Sequence, residues 1–209
     1  METLATTFLE QLTATPEGRQ HLLSISVDAE EGDEQGIFDQ LADHVDDEDL
    51  RRIVLRHRDD EVRHAGLFRD CLARAGLEKQ PVPDDMRIIR QIAVASPGGA
   101  ERAVATRRDV AERYALLLAI EERGVEQFPT IAAAFRPHDA ETSDVYLRVA
   151  RDERGHVAYC ERIGRRFAES DADWEELVDR ARRLEADAFV HVGLANVAYC
   201  TEQGWVDLG

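Results

Sequence analysis

Cysteine is scarce in this chain of 209 residues, and the three present are Cys71, Cys160 and Cys200. They are odd in number, far apart in sequence and outside any CxxC pair, which excludes a disulfide framework and a zinc ribbon. This usage is typical of a protein from a reducing compartment. Proline is also rare, with 6 residues, and this excludes an extended, proline-rich polypeptide.

Long apolar runs are missing as well. No stretch approaches the roughly 20 apolar residues that span a bilayer, and the opening sequence METLATTFLEQL lacks the basic and apolar regions of a signal peptide. We therefore expect a cytoplasmic protein without a membrane segment.

Positive charge is in short supply, because 26 Lys+Arg residues face 43 Asp+Glu residues and give a formal net charge of -17. Such a charge repels phosphate backbones and anionic lipid surfaces. Binding of nucleic acid across a broad surface of this protein is therefore disfavoured. With 44% hydrophobic residues the chain can bury one sizeable core. We expect a single domain over residues 1–209.

The sequence predicts an all-α fold. Short alternating runs of β-branched residues bounded by turn dipeptides do not occur, and segments with a 3.6-residue apolar period fill the chain. A long crossover, from about Gly76 to Gly99, is predicted to join two helical hairpins. The predicted helices are a short N-terminal helix over residues 2–13 and five long helices. In chain order, the first to fifth long helices cover residues 18–44, 48–76, 100–136, 138–170 and 173–203, and the bundle core covers about 18–170.

The motif ExxH occurs twice, as Glu61 with His64 and as Glu153 with His156. Side chains at positions i and i+3 of a helix leave the same face, so each motif can present a carboxylate and an imidazole to one point. Both glutamates fall in the middle of an otherwise apolar stripe. Because an unpaired buried carboxylate is strongly destabilising, something must compensate both of them.

Two further glutamates show the same anomaly. Glu121 lies at the centre of an apolar stripe, whereas Glu122 points about 100° away from it. In the first long helix the apolar stripe passes through Glu30 and Glu34, with Glu31 near its edge. Glu121 is therefore predicted to face inward, and Glu30 is favoured over Glu31, although that choice stays open.

The heights of the four acids can be compared, because residues equidistant from the turn of an antiparallel hairpin lie opposite each other. The midpoint between Glu30 and Glu61 falls in the turn at residues 45–48, and the midpoint between Glu121 and Glu153 falls on Pro137. Each hairpin is therefore predicted to hold its two buried acids at the same level.

Four carboxylates and two imidazoles, without a thiolate, are typical of a pair of iron or manganese ions. In these residues the chain resembles the ferritin-like di-iron carboxylate superfamily, in which a Glu from each of two helices joins an ExxH from each of two others. The resemblance covers about residues 18–170. The alternative interpretation is a structural bundle with incidentally buried acids. The resemblance implies two iron ions, or manganese, with Glu61 and Glu153 as bridging ligands and a full ligand set of Glu30, Glu61, His64, Glu121, Glu153 and His156.

Several neighbouring residues are weaker candidates. His57, one turn before Glu61, is read as a packed core histidine, as a residue that orients a ligand, or as an added ligand. Glu34 is read as a shifting or orienting carboxylate or as a solvated residue. Tyr114 and Tyr146 each lie two turns before a predicted ligand and either supply an electron or proton, or only pack.

The resemblance implies activation of O2. We expect an oxidase or oxygenase that acts on a small organic substrate with an external electron donor, because the crossover and the fifth helix can shape a pocket. The alternatives are a ferroxidase, iron-handling or peroxide-detoxifying protein, a tRNA hydroxylase, which the net charge disfavours, and a non-enzymatic interaction module. The fifth helix is expected to cover the bundle or to form the seam of a homodimer.

Overall fold

The computed structural model describes residues 4–31, 34–95 and 103–209, apart from the side chains of residues 34 and 35. Within these ranges the chain is helical and has no strand, which confirms the all-α prediction there. A short 3-10 turn occupies Asp84–Met86. The α-helices are α1 (Leu4–Ala14), α2 (Pro16–Glu31), α3 (Glu34–Asp43), α4 (Glu48–Arg74), α5 (Ile88–Ala95), α6 (Arg107–Phe135), α7 (Ala140–Phe167) and α8 (Asp171–Glu202).

The first arm of the first hairpin contains two described helices, α2 and α3, on either side of residues 32 and 33, whereas the sequence predicts one helix over residues 18–44. Gly36 lies in the first turn of α3, and glycine lowers helix stability by about 1 kcal/mol relative to alanine. The start and end of α4 agree with prediction. The Asp47 side chain accepts hydrogen bonds from the first turn of α4, and Gly76, with φ of 69°, follows its last turn.

The second hairpin begins later than predicted. Helix α6 starts at Arg107 rather than near residue 100, because Thr106 and Asp109 form a reciprocal capping box. The side chains of Asp139 and Ser170 accept backbone hydrogen bonds from the first turns of α7 and α8. These local caps fix where each long helix begins.

The crossover contains more helix than the sequence predicts, since α5 lies within it. Ile92 of α5 is buried together with Ala188 of α8. Helix α8 also packs against α6. The last long helix therefore covers α5 and α6.

Packing of α4 against α7 joins the two hairpins, since α2 and α3 lie on α4 while α6 lies on α7. Apolar side chains form two main clusters, one toward each end of these helices. The first includes Phe38, Val54, Leu118, Ile163 and Trp174, and the second includes Val27, Phe68, Phe135, Tyr146 and Val149. No helix within the described ranges is both long and apolar enough to cross a bilayer.

Candidate metal centre

Seven buried side chains, four glutamates and three histidines, meet between the two apolar clusters. They form two groups that can each hold a metal ion, and within each group one ligand atom per residue lies within 4.8 Å of the others. Ligands at about 2.1 Å on opposite sides of one ion are about 4.2 Å apart, so the spacing fits. Glu61 belongs to both groups and lies between them. The first group is Glu30, Glu61, His64 and Glu153, and the second is His57, Glu61, Glu121 and His156.

The first group converges on Nδ1 of His64. This atom lies 3.3 Å from Oε2 of Glu30, 3.2 Å from Oε1 of Glu153 and 3.8 Å from Oε2 of Glu61. It is buried and makes no hydrogen bond within the described part of the chain. An imidazole nitrogen that faces three carboxylates and bonds to none of them fits a cation held at their common centre.

The second group contains His57, for which the sequence leaves open a packed core histidine, an orienting residue and an added ligand. Nε2 of His57 lies 2.9 Å from Oε1 of Glu121 and 3.2 Å from Oε1 of Glu61. Nδ1 of His156 lies 3.0 Å from that same Glu61 oxygen and 3.6 Å from Oε2 of Glu121. Because His57 is one turn before Glu61, it shares the inner face of α4, and the structure makes it a candidate ligand.

Two aspartates that are not among the residues predicted from the sequence lie behind the histidines. Oδ2 of Asp152 lies 3.4 Å from Nε2 of His64, and Oδ2 of Asp60 lies 3.6 Å from Nε2 of His156. Arg63 donates hydrogen bonds to both aspartates, at 2.7 and 3.1 Å. A carboxylate behind an imidazole favours a proton on the nitrogen it faces and leaves the other nitrogen for a metal. The signal in the sequence is an Asp directly before each ExxH motif.

The charges of the cluster are those of a site that attracts cations. Burial and the charge of Glu61 raise the pKa of Glu30 well above its ordinary value, and burial and the charge of Glu121 raise the pKa of Glu153 to about 7. Burial lowers the pKa of His64, but its carboxylate contacts outweigh this and raise the pKa to about 12. Burial disfavours the charged form of Glu61 and Glu121 as well, but hydrogen bonds from the neighbouring histidines outweigh it, so the pKa of Glu61 lies well below its ordinary value and that of Glu121 falls to about 2. Protons on Glu30, on Glu153 and on the histidines thus limit the negative charge of the buried cluster, and two divalent cations would balance four ionised carboxylates.

The neighbouring acids that competed for these roles face outward. Glu31 makes an ion pair with Arg69, and Glu122 makes one with Arg182 at 2.6 Å. The structure therefore brings the preceding residue of each pair, Glu30 in α2 and Glu121 in α6, into the cluster, in agreement with the favoured choices.

The remaining predicted residues take different positions. Tyr114 is fully buried in an apolar cluster, and within the described ranges its hydroxyl has no hydrogen-bond partner. The Tyr146 hydroxyl makes a hydrogen bond of 2.7 Å with the Ser26 hydroxyl rather than with a glutamate. The side chain of Glu34 lies outside the described part. The redox or proton-supplying role of the two tyrosines stays a prediction.

Tyr159 lies beside the second group and was not among the sequence candidates. Its ring centroid is 6.1 Å from that of His156 and 6.4 Å from that of His57. The sequence signal is its position three residues after His156, which places both side chains on one side of α7. Tyr159 is therefore the tyrosine that the structure places against two candidate ligands.

Comparison of the chain with protein-family models, with curated proteins and with solved structures gave no match. The helices and the two buried Glu/His groups, which can hold metal ions, are therefore the features from which a function can be inferred.

Proposed function

We propose that this chain is a ferritin-like di-metal protein that binds a pair of iron ions, or manganese in their place, and acts as an O2-dependent oxidase or oxygenase on a small organic substrate. The observation that carries the proposal is the pair of buried ligand groups that share Glu61. The supply of ligands follows the ferritin-like pattern, since α2 and α6 each give one Glu while α4 and α7 each give an ExxH.

The donor atoms are compatible with iron or manganese. Carboxylate oxygens and imidazole nitrogens suit these ions, and no cysteine belongs to either group. Each group offers four side chains, which leaves room at a six-coordinate ion for O2 or substrate. When bound, a ferrous pair supplies two of the electrons that reduce O2 to water, and the substrate or an external donor supplies the other two.

The protein's own part is to position ligands and to exclude water. Asp152 lies within hydrogen-bond distance of Nε2 of His64, and Asp60 lies 3.6 Å from Nε2 of His156. Both carboxylates favour a proton on Nε2, which leaves Nδ1 of each imidazole to face the glutamates. Glu61 holds the two groups at a fixed separation because it belongs to both. The apolar clusters on either side keep bulk water away from the reacting centre.

The test is O2 uptake as ferrous iron is raised above two equivalents per chain, together with particle size in solution. An oxidase is expected to stop consuming O2 near two equivalents and to remain a monomer or dimer, because further turnover needs substrate and a reductant. Glu61→Ala should show little uptake. Continued uptake into a mineral-filled cage of many subunits would replace this proposal with the ferroxidase alternative.

A further inference from the structure

A cavity of about 880 Å³ lies between α1, α2, α5, α6 and α8. Its size falls within the range of about 300–1,000 Å³ that is usual for small-molecule sites. The lining is mainly aliphatic and aromatic, and includes Leu9, Leu22, Ile25, Ile120, Phe189 and Val197. Three of the five surrounding helices, α1, α5 and α8, lie outside the pair of hairpins that supply the metal centre.

The charged side chains of this lining are engaged with partners within the protein. Arg123 donates two hydrogen bonds to Glu185, at 3.1 and 3.0 Å, and Nε of Arg87 donates one to Asp28 at 2.7 Å. The two other charged lining residues, Arg90 and Glu126, also have partners. A charged ligand would lose its hydration without gaining a free counter-charge, so the lining favours a neutral, apolar ligand.

The cavity approaches the first group of candidate ligands, although none of the four residues of that group belongs to its lining. Its wall includes Ser26, one turn before Glu30 on α2, and Phe128 on α6. A Cβ atom at Gly124 would lie 3.4 Å from Cγ of Glu153 and 3.5 Å from Cε2 of Phe128, so the ring of Phe128 lies close to that candidate ligand. Phe128 therefore borders the cavity and lies near Glu153 of the first group.

From this geometry we infer that the cavity binds a neutral, predominantly apolar small molecule and presents it to the metal centre past Phe128. The identification of this molecule as the substrate rests on the proposed function, whereas its binding does not depend on bound metal.

Gly193 of α8 offers a way to fill the cavity without disturbing the fold. It belongs to the lining, and a Cβ atom there meets no atom within 4 Å. Gly193→Phe places a ring in this open space. The substitution also removes a glycine, a residue of low helix propensity, from a helical position, so it should not weaken α8. Gly66→Phe on α4 is the matched control, because a Cβ atom there also meets nothing within 4 Å and Gly66 is not part of the lining.

The experiment is calorimetric titration of 1-decanol, decanoate and decylammonium, below their micelle concentrations, into wild type and both variants. Bound iron, helix content and particle size are measured on the same samples. We expect 1-decanol to bind wild type and Gly66→Phe about tenfold or more tightly than either charged probe, and Gly193→Phe to weaken that binding about tenfold or more.

Three results would overturn the cavity inference and leave the proposed function standing. They are equal 1-decanol binding by Gly193→Phe and wild type, a preference for a charged probe, and no 1-decanol binding by a chain that holds two irons. A wild-type dimer that dissociates in Gly193→Phe would also overturn it and would assign the apolar lining to a second copy of the chain. Binding of 1-decanol by wild type that retains no iron would support the cavity and reject the proposed function.

Discussion

Glu121 and Glu122 are neighbours in the chain but lie in opposite environments, one in the second metal group and one in a surface ion pair with Arg182. Glu121→Ala is expected to lower bound iron from two ions per chain to one or fewer, because it removes a carboxylate that faces both His57 and His156. Glu122→Ala should leave iron binding nearly intact, since an exposed ion pair contributes only about 0–1 kcal/mol. Elemental analysis after anaerobic ferrous loading measures both variants, and equal loss from the two would show that the helical phase of α6 is wrong.

His57 provides a second test of an individual candidate ligand. His57→Ala removes one of the two imidazoles of the second group and none of the first, so bound iron is expected to fall from two ions per chain toward one. His191→Ala, at an exposed position of α8, is the control for loss of a histidine. Unchanged iron content in His57→Ala would restore the interpretation of this residue as a packed core histidine.

Which acids face inward could be predicted from single residues, because a carboxylate in an apolar stripe is anomalous wherever it occurs. The role of His57 could not, since a histidine on an inner face packs as readily as it binds a metal. The pairing of Asp60 with His156 and of Asp152 with His64 crosses from one helix to another. It depends on how α4 packs against α7, which is a tertiary property.

At the scale of the helices, the contact between α7 and α8 depends on one glycine. A Cβ atom at Gly164 would lie 2.0 Å from Cη2 of Trp174, whose side chain is fully buried. Gly164→Ala is expected to lower the free energy of unfolding by about 1–3 kcal/mol, because this overpacking outweighs the gain in helix propensity.

The matched variant is Gly66→Ala, where the added methyl group meets nothing within 4 Å and the higher helix propensity should stabilise the protein by up to about 1 kcal/mol. Denaturant unfolding of the metal-free variants gives both values. A stabilised Gly164→Ala would contradict the close packing of Trp174 on α7.

Helix ends could be predicted where the signal was local. Helix α4 begins after Asp47 and ends before Gly76, as expected. A capping carboxylate and a glycine with positive φ each fix a helix end through contacts within one turn. The helical state of α5 could not be predicted, since a helix of eight residues is marginal alone and Ile92 gains its burial from α8. The late start of α6 is set by the capping box at Thr106, a local signal that the apolar period of the sequence does not contain.

For the whole molecule, the arrangement is a polar layer held between two apolar clusters. On α4, Val54 lies in one apolar cluster, Phe68 lies in the other, and Glu61 lies between them. Burial of four carboxylates in such a layer is costly unless positive charge accompanies them, and the whole chain already carries a formal net charge of -17. A pair of divalent cations would relieve the local excess of negative charge.

We propose that each chain binds two metal ions in two groups that share Glu61. Elemental analysis of the purified protein after anaerobic ferrous loading tests this, with Glu61→Ala measured in parallel. We expect wild type to approach two irons per chain and Glu61→Ala to lose most of both, because each group loses a ligand. A single zinc ion per chain, or no bound metal, would contradict the account.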